Sequence, residues 1–254
     1  MTRPHPAPDP ATLAVLDDRA RERLTTLLDD VARDPLRVRR HFPSAAREVA
    51  RGPLDPTDPD GLLGPTLDDA VREGLLVALA DALHGDPDRL AVEVGDLYRY
   101  GDAAEKRAVL RALPRLDGIG DEGLPLVADA LRTNDVRLVA AALGPYGADR
   151  LDPAAWRQGV LKCLFVGVPL AAVAGLDRRA DEELAGMVAR YVHERVAAGR
   201  DVPEDAWLVL DRFPDALRAT GLADELHSPH ADRRDAARRA LGGRTLPYPG
   251  SQED

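Results

Sequence analysis

The chain has 254 residues, a formal charge of −10 and only 4% aromatic residues. That length supports one large or two small domains with a sizeable core, and the acidic balance argues against a nucleic-acid partner, which needs a basic face to neutralise phosphates. The single cysteine, Cys163, excludes an internal disulfide and fits a reducing compartment.

With so few aromatics, the core must be built from Leu, Ala and Val, sizes that suit closely packed helices. Residues 1–9 form a Pro-rich tail, expected to be disordered and without the apolar stretch of a secretory leader. From Pro10 a helical pattern runs through Leu13, Leu16, Ala20, Leu24, Leu27, Leu28 and Val31. Asp34-Pro35 opens a second helix with Leu36, Phe42 and Val49 inward. The stretch 52–65 holds Pro53, Pro56, Pro59 and Pro65 and reads as a linker. Thr66 and Asp69 then form an acidic variant of the capping box. Leu67, Val71, Leu75, Leu79 and Leu83 line the helix that follows, up to Gly85.

Asp86, Asp102, Asp121, Asp135 and Asp152 each look like a helix start. Two successive intervals span 35 and then 31 residues, close to the two-helix unit of helical solenoids. No strand-type alternation persists. The expected fold is therefore all-α, a HEAT-like solenoid of stacked antiparallel helix pairs. The helix after Asp152-Pro153 carries Trp156, Val160, Leu161, Cys163, Leu164, Phe165, Val166 and Val168. These point all round its axis, so it should be covered on several sides and serve as the central rod. Further helices are expected over residues 180–198, from Pro203 through Trp207 and Leu210, over 215–219 and over 228–241. The resulting organisation is a tail (1–9), N-terminal helices (10–51), a linker (52–65), a helical-repeat domain (66–241) and a second disordered tail (242–254). No run approaches about 18 apolar residues, since Lys162 and Pro169 interrupt the longest, so a cytoplasmic protein without a membrane-spanning segment is expected.

Few residues suggest chemistry. Gly118-Ile-Gly120-Asp-Glu-Gly123 matches a dinucleotide fingerprint but follows an amphipathic helix where a strand is required, and reads as a turn. His227 and His230 lack the further ligands zinc needs, and His193-Glu194 lacks a second His, so no metal and no cofactor are expected. Cys163 has no base beside it and reads as a small hydrophobe. Lys162 stands out: the chain has 34 basic residues, of which only two, Lys106 and Lys162, are lysines. A lysine inside an apolar helix, with Gln158 one turn earlier, is either snorkelling and paired or present for its smaller, deprotonable head. Asn134 and Asp135 make a turn and helix cap whose backbone N–H groups could hold an anion. His193 and Arg195 read as core-edge packing, and Trp156 and Trp207 as core plugs.

The segments 131–146, 156–169, 175–184 and 191–195, taken together and in order, resemble the EboA family of metabolite-traffic proteins, over roughly residues 66–214. The resemblance implies a product of a gene cluster that also encodes a membrane prenyltransferase and metal-dependent or sugar-type enzymes, acting to move biosynthetic precursors towards the cell envelope. It carries over no catalytic residue. What maps across, as candidate ligand contacts, is Asn134, Asp135, Trp156, Gln158, Lys162, Asp177, His193 and Arg195. The expected function is a non-enzymatic scaffold or adaptor for cluster-encoded partners and a small-molecule precursor. The alternative is a binding protein or enzyme that uses Lys162 in a pocket between helices.

Overall fold

The structure, a computed structural model, describes residues 10–242; both expected tails, apart from Gly242, lie outside them. Among the described residues every regular element is helical, and the only β-type contact is an isolated bridge between Pro53 and Thr66. The chain divides into two compact units, one ending at Gly175 and one beginning at Leu176.

The first unit holds α1 (Pro10–Val15), α2 (Asp18–Arg33), α3 (Val38–Glu48), α4 (Leu67–Ala82), α5 (Pro87–Tyr100), α6 (Ala103–Ala112), α7 (Leu124–Arg132), α8 (Val136–Ala142), α9 (Pro145–Arg150) and α10 (Pro153–Val166). Most begin as their sequences dictate. Asp86, Asp102, Asp135 and Asp152 each accept a backbone N–H of the following turn, at 2.9–3.1 Å. Thr66 and Asp69 close the capping box in both directions. Two starts differ from expectation. The first helical stretch breaks at Asp17, whose extended backbone and carboxylate cap a new helix. Asp121 starts nothing: α7 begins three residues later, where Pro125 fits the first turn, and Asp121 instead pairs with Arg150.

Within this unit α4 packs against α2, α3 and α6; α6 packs against α5 and α8; and α8 packs against α7 and α10. The even-numbered helices thus follow one another in contact, and α3, α5 and α7 each lie against the next even-numbered helix. Val71, Leu75, Leu76 and Leu79 of α4 are fully buried, each worth roughly 2 kcal/mol of transfer free energy.

The enclosed rod is α4, with eleven buried residues in sixteen, and not α10, with five in fourteen. On α10 the buried residues Trp156, Gly159, Val160, Cys163 and Leu164 make a single stripe. Phe165, expected in the core, is 61% exposed. Nine residues are two and a half turns, so Phe165 points directly away from Trp156. Leu36, also expected inward, is exposed, because Asp34 caps a 3₁₀ turn over Pro35–Arg37 and only Val38 starts the inward stripe of α3. Gly167, at φ +82°, ends α10 two residues before Pro169.

The stretch expected as a linker is fastened down. The Asp58 carboxylate accepts the N–H groups of Leu62, Leu63 and Gly64 at 2.8–2.9 Å. Arg107 donates to Asp60 O at 3.1 Å, to Thr66 Oγ1 at 2.8 Å and to Asp69 Oδ1 at 3.0 Å. Arg111 donates to the Gly61 and Leu62 carbonyls. Arg72 donates to Asp68 Oδ2 and to Phe42 O, and its guanidinium lies over the Phe42 ring, which ties α3 to α4. Asp68, Asp69, Arg72 and Arg107 are all buried, so this network holds residues 58–66, α3, α4 and α6 together through desolvated charges.

The second unit holds α11 (Leu176–Arg179), α12 (Glu182–Ala197), α13 (Trp207–Leu210), α14 (Pro214–Arg218) and α15 (Ala231–Leu241). Asp181 caps α12 through the Leu184 N–H at 2.9 Å. Leu184, Val188, Tyr191, Val192 and Val196 bury one face of α12, against which α13, α14 and α15 pack. Trp207 is buried as expected of a core plug, and Leu210 is buried with it.

Candidate functional site

The eight candidate residues fall into groups with different work. Three are occupied structurally. Trp156 is fully buried on α10. Asp135 caps α8 through the Arg137 N–H and also holds the Arg137 guanidinium at 2.7 and 3.0 Å. That hydrogen bond from Arg137 keeps the Asp135 carboxyl below the usual carboxylate range. Arg195 donates to the Asp201 carbonyl and lies over the Tyr191 ring, which fastens the chain leaving α12.

Three others share one exposed face of the first unit. Lys162 Nζ donates to Asn134 Oδ1 at 3.3 Å, linking α10 to the turn between α7 and α8. Gln158, one turn before Lys162, is exposed, and Phe165 lies three residues after it. The result is a stripe of amide, amine and phenyl ring on the side of α10 opposite Trp156. Cys163 lies on the buried side, and burial pushes its thiol up to about 12, which suits a packed hydrophobe and not a nucleophile.

The last two belong to the second unit, around a cleft of about 760 Å³ between α12 and the α13–α14 segment. His193 lines it, and its Nε2 is 3.5 Å from Glu225 Oε1. Asp177 stands outside it and holds Arg212, which does line it, through its carbonyl at 2.9 Å and its carboxylate at 3.6 Å. Arg190, Gly186 and Phe213 also line it.

Sequence reasoning missed Arg190 and Arg212, and it missed the charges buried around Asp69. Signals for both existed. The capping box of α4 needs only Thr66 and Asp69, so the extra Asp68, with Arg72 one turn on in a largely apolar helix, called for a buried partner. Gly186 sits inside a helix where alanine is preferred by about 1 kcal/mol, which marks a place where bulk is unwelcome. The Gly118–Gly123 stretch follows the 3₁₀ turn Leu113–Arg115 and precedes α7, so it lacks the strand a dinucleotide site requires. Among the described residues no group of three or more His, Cys, Asp or Glu is placed to hold a metal ion, and no helix is long and apolar enough to cross a membrane.

No curated protein and no solved structure matches the chain. Residues 64–211, more than half of it, match the family model described as metabolite traffic protein EboA. That span contains the buried Asp–Arg network apart from its partners at residues 58–63 and Phe42, and the whole of α10, α12 and α13. On this match the chain belongs to the EboA family.

Proposed function

We propose that this protein is a non-catalytic helical scaffold, located in the cytoplasm, that helps pass a biosynthetic precursor of secondary metabolism towards the cell envelope together with partners encoded in the same cluster. The family match supports a part in metabolite traffic. The architecture supports the scaffold reading. Contacts from α2 to α4, α6, α8 and α10 in succession, with α3, α5 and α7 each against the next even-numbered helix, favour a HEAT-like solenoid for the first unit.

One observation carries the scaffold reading over an enzyme built on Lys162. The Lys162 amine is engaged by a neutral amide, Asn134, on an exposed face that also displays Gln158 and Phe165. A catalytic amine would instead be desolvated beside charged or electrophilic groups. We assign this stripe to contact with a partner, with Phe165 as the apolar anchor and Lys162 and Gln158 as rim contacts. The membrane prenyltransferase of the cluster is the partner to try first. The test is co-purification of the tagged chain with that enzyme after co-expression, using wild type, Phe165→Ser and Lys162→Met. The reading expects recovery of the partner with wild type and a loss of at least about tenfold with Phe165→Ser, at unchanged helicity. Equal recovery with all three proteins would overturn the assignment of the stripe.

A further inference from the structure

The cleft of the second unit has features that packing does not explain. Glu182, Gly186, Arg190 and His193 lie along one stripe of α12, and all four line it. The Arg190 side chain runs back along the helix, as helical side chains do, until its Nη1 stands 3.5 Å from where a Cβ on Gly186 would lie. That is the only contact such a Cβ would meet within 4 Å, so nothing in the core demands glycine there. The glycine leaves the floor of the cleft open beneath a guanidinium. Arg190 makes no ion pair with any of the described residues, whereas Arg212, Arg218, Arg233, Arg238 and Arg239 of this unit are each paired.

The rest of the lining is divided by character. Phe213 and Pro214 supply an apolar wall, and Thr220 a hydroxyl. Arg212 stacks at 5.7 Å over the Phe213 ring, which holds its charge at the rim. Two carboxylates also line the cleft. Asp215 is taken by Arg218, and Glu182 sits a turn beyond Gly186, at the end of the stripe. Arg212 is held by Asp177 and His193 stands beside Glu225, so Arg190, two turns from Glu182, is the cationic head of the lining left to meet a ligand.

We propose that this cleft binds a small molecule with an oxyanion head, a phosphate monoester or a carboxylate, on an apolar body. The head sits on Arg190 above Gly186, with Arg212 and His193 beside it, and the body lies against Phe213 and Pro214. A planar guanidinium fork suits both kinds of head. The proposal gives the traffic role a place for its cargo and rests on that reading only for the ligand's small size. Binding is measured on purified protein and partner recruitment by co-purification, so either can fail alone.

The test is calorimetric titration of the full chain at low ionic strength with phenyl phosphate, benzoate and benzyl alcohol. Saturable one-to-one binding is expected for phenyl phosphate or benzoate, and the tighter of the two names the head; the alcohol should bind at least about tenfold more weakly. Arg190→Gln should weaken binding about tenfold, while Arg238→Gln, at a paired surface arginine outside the cleft, should leave it unchanged. Gly186→Leu should abolish binding and keep or raise helicity; should it misfold, the exposed Arg190→Gln decides alone. Absence of saturable binding with both anions overturns the proposal, as does equal binding of the alcohol, or an equal effect of Arg190→Gln and Arg238→Gln.

Discussion

Replacing Arg107 with methionine removes the centre of the network that fastens residues 58–66 to α4 and α6. The wild-type side chain is 6% exposed and donates to Asp69, Thr66 and the Asp60 carbonyl. Methionine fills much the same volume, so the cost arises from Asp69, 1% exposed, which keeps the Thr66 N–H but has only Arg111, at 3.7 Å, left as a charged partner. Removing one partner of a buried pair costs about 3–5 kcal/mol. For a unit of this size each kcal/mol moves Tm by roughly 2–4 °C, so a fall of about 6–20 °C is expected in circular-dichroism melts. Thermolysin should at the same time cut at Leu62–Leu63 faster, because Arg107 no longer holds the Asp60 carbonyl and Arg111 alone is left on the Gly61 and Leu62 carbonyls. The double variant Asp69→Leu, Arg107→Met should be less destabilised than the two single losses added together, by about 1 kcal/mol or more. A loss under about 1 kcal/mol, with the loop as protected as in wild type, would show that these charges do not hold the segment in place.

Asp135→Ala should cost about 1 kcal/mol through loss of the α8 cap. Because Arg137 holds the folded Asp135 carboxyl below its unfolded value, its stabilisation is present near neutral pH and is lost as pH falls through the lowered folded pKa; urea titrations of wild type and variant should converge there. Cys163 should stay unreactive to a thiol reagent at pH 8 until the protein is denatured. With its folded pKa raised to about 12, wild type should lose stability relative to Cys163→Ala as pH climbs above the ordinary thiol value towards 12. Gly147→Ala should cost more than about 2 kcal/mol by thermal melt, since the new Cβ would stand 2.1 Å from the Ala142 carbonyl oxygen.

Local signals in the sequence carried the helices. Aspartate caps and proline at first-turn positions placed α5, α6, α8 and α10, because capping is decided within four residues of chain. Burial on α4, α5 and α12 followed from period alone, with Leu90, Val94, Leu97 and Tyr98 all inward. The role of α10 was misjudged because a tally of apolar residues ignores their angles; Phe165 and Trp156 are equally hydrophobic and point opposite ways. The proline-rich stretch reads as a linker by composition, yet its carbonyls are held by arginines 47 to 50 positions away in the chain, which no local pattern encodes. The cleft was invisible for the same reason: His193 was noticed as a residue, while Arg190 matters only through its reach across Gly186 and its lack of an ion pair among the described residues.

The proposed role is to move a metabolite without changing it. The most direct measurement is mass spectrometry of interior and envelope fractions from cells lacking the chain, beside cells restored with wild type or with Arg190→Gln and Phe165→Ser combined. The account predicts that the precursor builds up inside and its product falls at the envelope, that wild type restores both, that the double variant does not, and that purified chain leaves the precursor's mass unaltered. A normal envelope product in the absence of the chain, or conversion of the precursor by the purified chain alone, would contradict it.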